Sequence, residues 1–262
     1  MTPLADTHVH LLAGLDDGPS SMEEAVAMCR MLVNEGARHA TALAHQNDGY
    51  PENTSDRLRY ASSLLSAKLA EKQIPLSVYP TGEIMLSPTT FEDWQAGTLL
   101  SIGGHNHWLL VEMPHGMFVD VLPLVEQFRP HGIRLIIAHA ERYPELLYDP
   151  GRTEQWIAAG CMIQVTAWAL AEPWEAGMER ALQQWVTGGY VHVIGSDGHG
   201  LDRRRPVLAT GYERLVSWVG HAAAERIGSL WGVSVLQGLP VQVPPPKPKP
   251  PTRSWFTRLF GQ

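Results

Sequence analysis

Short apolar stretches of four to six residues recur along the chain, and most of them precede a longer stretch with helical character. Each apolar stretch is nearly continuous rather than alternating with polar residues, which is typical of strands buried on both faces of a parallel sheet. The pattern predicts seven strands, at Leu4–Val9, His39–Ala44, Leu76–Thr81, Trp108–Val111, Ile133–Ala138, Met162–Val165 and Val191–Gly195.

The stretches between the strands carry helix signals. The clearest is Met22–Glu35, which Ser20 and Ser21 can cap at its start and which Gly36 follows. A strand-then-helix alternation predicts an α/β fold with a parallel sheet. Seven such units favour a barrel over an open sheet, although the spacing alone is compatible with both. The other predicted helices span residues 56–72, 119–128, 153–159, 174–187 and 212–227.

The composition changes after about Leu239. Six prolines lie between Pro244 and Pro251, and such a run favours extended polyproline II over a place in a barrel. We therefore divide the chain into a barrel domain, residues 1–239, and a proline-rich linker with a short basic and aromatic tail, residues 240–262. Residues 253–260 suit docking to an anionic membrane surface or a partner protein, and a disordered end explains them equally well.

The net charge of −7 argues against duplex nucleic acid as a partner, because binding it requires a basic surface. No apolar run is long enough to span a membrane, and the first residues lack the pattern of a secretory signal. The two cysteines, Cys29 and Cys161, do not indicate a disulfide framework. We expect a cytoplasmic protein, with peripheral attachment to the inner membrane as an option through its tail.

Histidines and acidic residues follow six of the seven predicted strands. The carboxyl ends of barrel strands meet at one face, so residues far apart in sequence can converge there. Alternate residues of a strand point the same way, so the two histidines after the first strand can act together. The candidates are His8, His10, Asp16 or Asp17, His45, Glu83, Glu112, His139, Asp197 and His199.

Imidazole and carboxylate groups together suit Mn, Fe or Zn, and paired ions can activate water and hold a phosphoryl oxygen. Taken singly, each candidate is a weak signal, because a lone histidine at a strand end is more often structural and Asp-Gly is often a turn. The coincidence of so many candidates at strand ends indicates a metal site.

The segments DTHVHLLAGLDDGPSSMEEAVAMCR, TGEI, SIGG with LLVEMP, AHAERY, and SDGHG with RRRP resemble the PHP-type (polymerase and histidinol phosphatase) metallophosphoesterases. More narrowly, they resemble the manganese-dependent protein-tyrosine phosphatases of capsule and exopolysaccharide loci, the CpsB/CapC type. The similarity runs in order from about Ala5 to Pro206. It implies a distorted (β/α)7 TIM-like barrel with two or three Mn²⁺ ions on one face, with Fe or Zn as alternatives.

The resemblance also implies roles for individual residues. Arg142 and Arg205 match arginines that the family uses near the phosphate, a task that suits the planar guanidinium fork. Where the family commonly shows Thr-Pro-His-His, this chain has an amide, Gln46, after the histidine. The implied metal ligands are His8, His10, Asp17, His45, Glu83, Glu112, His139, Asp197 and His199.

The implied reaction is hydrolysis of phosphotyrosine on a protein, in the control of capsule or exopolysaccharide synthesis, with a bacterial tyrosine autokinase as the expected phosphoprotein. A histidinol-phosphate-like small-molecule phosphatase and a metal-dependent nuclease remain alternatives. A cysteine phosphatase would need an arginine six residues after its cysteine, and Glu35 and Ala167 stand at those positions. A carbamylated-lysine amidohydrolase would need a lysine where Glu112 stands, and an inactive adaptor would typically have lost a ligand.

Overall fold

The computed structural model describes residues 2–247 and contains one sheet of seven parallel strands, hydrogen-bonded to each other in sequence order. Each predicted strand overlaps an observed one, so the seven predicted strands are confirmed. The strands are β1 (Leu4–Asp6), β2 (Ala37–Gln46), β3 (Ser77–Met85), β4 (Trp108–Glu112), β5 (Arg134–Ile137), β6 (Met162–Thr166) and β7 (Val193–Gly195).

Backbone hydrogen bonds also join the first strand to the last. The Thr7 N–H donates to the carbonyl oxygen of Ile194 at 3.2 Å, and the Asp197 N–H donates to that of His8 at 2.7 Å. These bonds lie at the carboxyl ends of β1 and β7 and nearly close the sheet, which removes its exposed edges. The prediction of a distorted (β/α)7 barrel is therefore confirmed.

Helices connect the strands and cover the outside of the barrel. At the start of the first helix the Ser21 Oγ accepts a hydrogen bond from the Glu24 N–H at 3.2 Å, which confirms the predicted cap. The described helices are α1 (Met22–Asn34), α2 (Ser55–Glu71), α3 (Thr90–Gln95), α4 (Leu122–Phe128), α5 (Pro144–Leu147), α6 (Glu154–Ala158), α7 (Ala167–Ala171), α8 (Met178–Gly188), α9 (Ala209–Val219), α10 (His221–Glu225) and α11 (Trp231–Leu236).

Two predicted helices differ from the structure. The helix predicted over 212–227 is interrupted at Gly220, whose φ of 77° lies in the left-handed region and separates α9 from α10. The helix predicted from residue 174 begins at Met178, because Gly177 at φ 86° is not helical. The short helices α3, α5, α7 and α11, of six, four, five and six residues, were not predicted, since such lengths leave little periodic signal.

Alternate strand residues divide between two apolar layers. Leu110 and Ile136 belong to a compact cluster inside the barrel, whereas Val111 and Ile137 belong to the larger cluster between the strands and the helices. All four side chains are fully buried. Burying both faces of each strand explains why the apolar stretches in the sequence are continuous.

The chain after α11 runs across the amino-terminal ends of the strands. Val241 is buried, its carbonyl oxygen accepts a hydrogen bond from Arg134 at 2.8 Å, and the Lys247 N–H donates to the Gly188 carbonyl oxygen at 2.8 Å. The proposed tail at 253–260 lies outside the described residues, so its docking role and the domain boundary at 239 stay predictions. Between residues 2 and 247, no helix is both long and apolar enough to cross a membrane.

Candidate metal centre

The carboxyl end of the barrel brings together the side chains that the sequence singled out as ligands. All nine occur in groups whose potential ligand atoms lie within 4.8 Å of one another. Their convergence supports the sequence-based hypothesis, while the role of each residue remains a prediction. The groups are His8–His10–Asp197, His8–Glu83–His139, His45–Glu83–Glu112 and His10–Asp17–His45–His199.

Glu83, at the carboxyl end of β3, is the common member of the buried part of the cluster. Its Oε1 lies 3.2 Å from His8 Nε2 and 3.0 Å from His139 Nε2. Its Oε2 lies 3.1 Å from His10 Nε2 and 3.1 Å from His45 Nδ1. A carboxylate in this position would serve as a ligand shared by neighbouring candidate cation sites.

Asp197 and Glu112 extend the cluster in two directions. Asp197 Oδ1 lies 3.3 Å from His8 Nε2 and 3.7 Å from His10 Nε2. On the other side, Glu112 lies 3.5 Å from His45 Nδ1 and 3.6 Å from His139 Nε2. Both carboxylates are almost fully buried, so the cluster is a deep charged centre rather than a solvated surface.

A third part of the cluster lies closer to solvent. The Oδ1 of the half-exposed Asp17 is 3.4 Å from His45 Nε2 and 3.3 Å from His199 Nε2. His45 therefore presents one ring nitrogen to Asp17 and the other to Glu83, which places it between two candidate cation positions.

The residues present fit divalent cations. Several buried ligand atoms make no hydrogen bond, although burying a polar atom without a partner is costly. A set of imidazole nitrogens and carboxylate oxygens matches the preferences of Mn, Fe and Zn. The buried ligand atoms that make no hydrogen bond are His8 Nε2, His10 Nε2, His45 Nδ1, Glu83 Oε2, Glu112 Oε1 and His199 Nε2.

The two adjacent aspartates, Asp16 and Asp17, have different surroundings. Asp16 Oδ2 accepts hydrogen bonds from His10 Nδ1 at 2.7 Å and from the His45 N–H at 2.9 Å, and Asp16 Oδ1 accepts from the Gly18 N–H at 2.9 Å. Asp17 instead points its carboxylate at the rings of the cluster. This difference favours Asp17 as the ligand and gives Asp16 an orienting role.

Gln164, in β6, orients two candidate ligands and was missed in the sequence. Its Oε1 accepts hydrogen bonds from the His139 N–H at 2.8 Å and from His8 Nδ1 at 3.3 Å. Because an amide oxygen can only accept, the His8 proton sits on Nδ1 and leaves Nε2 free for a cation. The signal available in the sequence was a single glutamine inside an otherwise apolar predicted strand, Met162–Val165.

The cluster also carries backbone strain. His139 has φ 31° and Asp197 has φ 53°, both in the left-handed region that non-glycine residues rarely adopt. Each follows a β-strand, at the turn that aims its side chain back across the barrel. Such strain persists only where the surrounding structure imposes it, and it concentrates at functional sites.

Asp197 attracts two guanidinium groups. Arg142 Nη2 forms a close ion pair with Asp197 Oδ2, and Arg204 Nη2 donates to the same oxygen at 2.7 Å. Arg204 Nη1 also lies 3.5 Å from Asp17 Oδ2. Arg205 is exposed and forms no ion pair with any described residue, so the structure brings Arg204 rather than the predicted Arg205 to the cluster.

The charges of the cluster act on one another. Burial opposes protonation of His10 and His139, yet the neighbouring carboxylates raise the pKa of each to about 9. Burial likewise opposes ionisation of Glu83, but the surrounding histidines hold its pKa well below the ordinary range. The carboxylates therefore remain anionic and demand positive charge, which cations can supply in exchange for the histidine protons.

The amide that follows His45 has a structural role. Gln46 Nε2 donates to the carbonyl oxygens of Asn53 at 2.7 Å and Thr98 at 2.9 Å, and its Oε1 accepts from the Leu100 N–H at 2.8 Å. It points away from the cluster and holds the loop after β2 against the segment after α3. Both a donor and an acceptor are needed there, and glutamine provides them.

A cleft of about 1010 Å³ opens over the cluster and extends across the carboxyl ends of β2 and β3. Tyr50 stands in its wall, with its ring stacked on His45 at 5.7 Å between centroids and an interplanar angle of 7°. Arg142 and Arg204 line the same cleft. An anionic ligand can therefore reach the cluster and both guanidinium groups together.

The two cysteines take no part in this centre. Cys29 and Cys161 are fully buried, and burial raises the pKa of each thiol to about 12. Neither lines the cleft. These positions agree with the sequence-based argument against a cysteine phosphatase.

Known proteins are similar to this chain in sequence and in fold. A family model described as "Capsular polysaccharide synthesis, CpsB/CapC" matches residues 4–237. The tyrosine-protein phosphatase YwqE of Bacillus subtilis (strain 168) is 28% identical over 205 residues, which is 77% of this chain and 79% of YwqE. The tyrosine-protein phosphatase CpsB of Streptococcus pneumoniae is 24% identical over 231 residues, 86% of this chain and 94% of CpsB.

A solved structure has the same architecture. It comes from a study of YwqE from Bacillus subtilis and CpsB from Streptococcus pneumoniae, described as unique metal-dependent tyrosine phosphatases. Its TM-score with this chain is 0.86 at 24% sequence identity, and the superposition covers 94% of this chain and all of that one, 100%. The likeness confirms the barrel fold.

Proposed function

The chain belongs to the CpsB/CapC family, and on that premise we propose that it is a metal-dependent phosphatase that hydrolyses phosphotyrosine in a protein. The observation that carries the proposal is the cluster itself: nine histidine, aspartate and glutamate side chains converge, and six of them line one cleft together with two guanidinium groups. The curated relatives YwqE and CpsB are named tyrosine-protein phosphatases, which supports phosphotyrosine over other phosphomonoesters.

Four overlapping groups of side chains would hold the cations, two around Glu83, one around Asp197 and one around Asp17. We favour Mn²⁺, in two or three positions, with Fe or Zn as alternatives, because the donor set suits all three metals. Bound divalent cations supply Lewis acidity toward phosphoryl oxygens and lower the pKa of water at the site. Gln164 and Asp16 would keep the ligand rings in the orientation that this binding requires.

The guanidinium groups of Arg142 and Arg204 would bind the phosphate. Both already contact the Asp197 carboxylate, so they are held at the edge of the cluster where an anion would arrive. A planar fork can take two phosphate oxygens and offset the charge that grows on them during hydrolysis. We assign this second position to Arg204 in place of Arg205, because only Arg204 reaches the cluster.

The leaving group favours an aryl phosphate. Tyrosine phenol has a pKa of about 10, so its anion departs more readily than an alkoxide. The cleft, with Tyr50 in its wall, has space for the ring beside the cluster. No protein nucleophile is required, in keeping with the buried cysteines.

We further propose a cellular setting. The phosphoprotein would be a bacterial tyrosine autokinase in the cytoplasm, and the reaction would regulate capsule or exopolysaccharide synthesis. The family description, which refers to capsular polysaccharide synthesis, supports this setting. Docking to the inner membrane or to a partner through residues 253–260 remains part of the proposal.

Phosphate release from a phosphotyrosine peptide tests the function. The metal-free chain should be inactive, Mn²⁺ should restore activity, and EDTA should abolish it. Glu83→Gln should lose most of the activity, whereas the same change at the exposed Glu71 on α2 should have little effect. Full activity in strong chelator, or preference for phosphoserine peptide, histidinol phosphate or nucleic acid, would contradict the proposal.

A further inference from the structure

Three large aromatic side chains lie exposed together at the carboxyl end of the barrel. Tyr148, Trp168 and Trp174 are 56%, 44% and 46% exposed. The indole rings of Trp168 and Trp174 stack at 5.5 Å between centroids with an interplanar angle of 9°. The Tyr148 hydroxyl donates to Glu175 Oε1 at 2.6 Å, which ties the tyrosine to the segment that carries Trp174. We call these three side chains the aromatic patch.

The aromatic patch lies at the same end of the barrel as the candidate metal centre, on the segments that follow β5 and β6. Trp168 lies on α7, which begins directly after β6 at the carboxyl end of the barrel. Thr166, the last residue of β6, donates its hydroxyl to Glu141 Oε1 at 2.5 Å, and Glu141 is the neighbour of Arg142 in the chain. The segment that carries Arg142 is thus fixed to the start of α7, and a polypeptide bound with its phosphate at Arg142 can extend toward the aromatic patch.

The exposure of the aromatic patch indicates that it binds a partner. Single exposed apolar residues are ordinary, but adjacent exposed aromatic rings on a protein surface typically mark a binding site. An indole ring that is half exposed also has apolar surface available for contact with a ligand.

Carboxylates set the charge of the patch. Glu172 Oε2 lies 3.3 Å from Trp168 Nε1, and Glu175 bonds to the Tyr148 hydroxyl. Over residues 2–247, neither glutamate pairs with a lysine or arginine, and the nearby Arg214 is engaged by Glu179 at 3.0 Å. An indole face beside an available carboxylate is suited to a lysine or arginine side chain.

We propose that the aromatic patch docks the polypeptide flanking the phosphotyrosine of a protein substrate, through a basic side chain of that polypeptide. The inference rests on the proposed function and extends it from the phosphate to the sequence around it. It predicts that the protein prefers phosphotyrosine peptides with lysine or arginine near the phosphate.

The test compares two phosphotyrosine peptides of equal length, one with flanking lysines and one with glutamates in their place, alongside p-nitrophenyl phosphate. In the full Mn²⁺-loaded chain, Trp168→Ala and Trp174→Ala should each raise KM for the lysine peptide about two- to fivefold, which is the range expected for losing an exposed cation–π contact. The kcat for this peptide should stay unchanged. The ratio of peptide to p-nitrophenyl phosphate kcat/KM should fall by the same factor. Trp174→Phe, which keeps an aromatic ring, should retain most of the wild-type ratio.

Tyr60→Ala, at an aromatic residue 67% exposed on α2, is the matched control and should leave this ratio unaltered. Glu172→Gln with Glu175→Gln should reduce the preference for lysine over glutamate. A parallel loss on peptide and p-nitrophenyl phosphate, no loss at all, or a preference for the glutamate peptide would overturn the proposal.

Binding separates this inference from the proposed function. A fluorescent lysine peptide carrying a non-hydrolysable phosphonate should bind the wild type more tightly than Trp174→Ala in an anisotropy titration. If the wild type hydrolyses no phosphotyrosine, the proposed function fails, and the titration still decides the docking. Equal binding by the two proteins would overturn the docking alone.

Discussion

Replacing Asp16 by asparagine tests whether an aspartate outside the ligand set orients the metal centre. The change preserves shape but removes the charge that accepts hydrogen bonds from His10 Nδ1 and from the His45 N–H. Asparagine can place its one oxygen where both of these donors point, but its amide nitrogen then faces the Gly18 N–H, and the acceptor carries no charge. The contact that keeps His10 Nε2 directed at Glu83 and Asp197 would therefore weaken.

The structure sets the size of the expected effect. A hydrogen bond to a charged group contributes about 1.5–3 kcal/mol, which corresponds to roughly 10- to 150-fold in an equilibrium constant. Partners that orient metal ligands typically account for about 10- to 100-fold in metal affinity. We therefore expect Asp16→Asn to weaken Mn²⁺ binding by about 10- to 100-fold without removing a whole ion.

Isothermal titration of the metal-free protein with Mn²⁺, with competing chelator for the tight sites, measures both affinity and stoichiometry. Asp17→Asn should lower the number of bound ions, since Asp17 faces the rings directly. Asp56→Asn, an exposed position on α2, should bind as the wild type does. The reasoning would be refuted if Asp16→Asn bound Mn²⁺ with wild-type affinity. It would also be refuted if Asp16→Asn lost one bound ion and Asp17→Asn lost none.

Three further predictions concern other parts of the molecule. Arg142→Lys keeps the charge but loses the fork, so kcat/KM for phosphotyrosine peptide should fall about 10- to 100-fold while the metal content measured by atomic emission stays the same. His192 is buried, and burial lowers its pKa to about 4, so it is neutral in the folded protein. Its contribution to the free energy of unfolding should be complete above about pH 6.5 and fall by about 3 kcal/mol toward pH 4. In urea unfolding, His192→Asn should therefore lose less stability than the wild type over this pH range. The double change Cys29→Ala and Cys161→Ala should leave kcat/KM within about twofold, because neither thiol ionises near neutral pH; a larger loss of activity in the folded variant would implicate a thiol.

The barrel was largely readable from the sequence. Continuous apolar stretches predicted all seven strands, because each strand is buried on both faces and carries no polar alternation. Helix α1 was also predicted closely, since its serine cap acts locally. The breaks near Gly177 and Gly220 were missed, because a glycine is compatible with both a helix and its end until its φ is known.

The candidate ligands were recognised from their residue types and their positions at strand ends, both of which the sequence contains. The sequence did not decide which of two adjacent aspartates or arginines reaches the cluster. Asp17 faces the rings while Asp16 supports them, and Arg204 reaches Asp197 while Arg205 turns to solvent. Adjacent residues point in different directions, and only the backbone of the folded loop decides which one turns inward.

The sequence by itself thus determined the order of strands, the chemistry of the ligand set and its position at one end of the barrel, because these depend on local pattern and residue type. The tertiary structure decided the contacts between residues distant in the chain. Gln164 under His8 and Arg142 beside Asp197 exist only because separate strand ends and loops meet. Such contacts depend on the closure of the barrel, which no local stretch of sequence encodes.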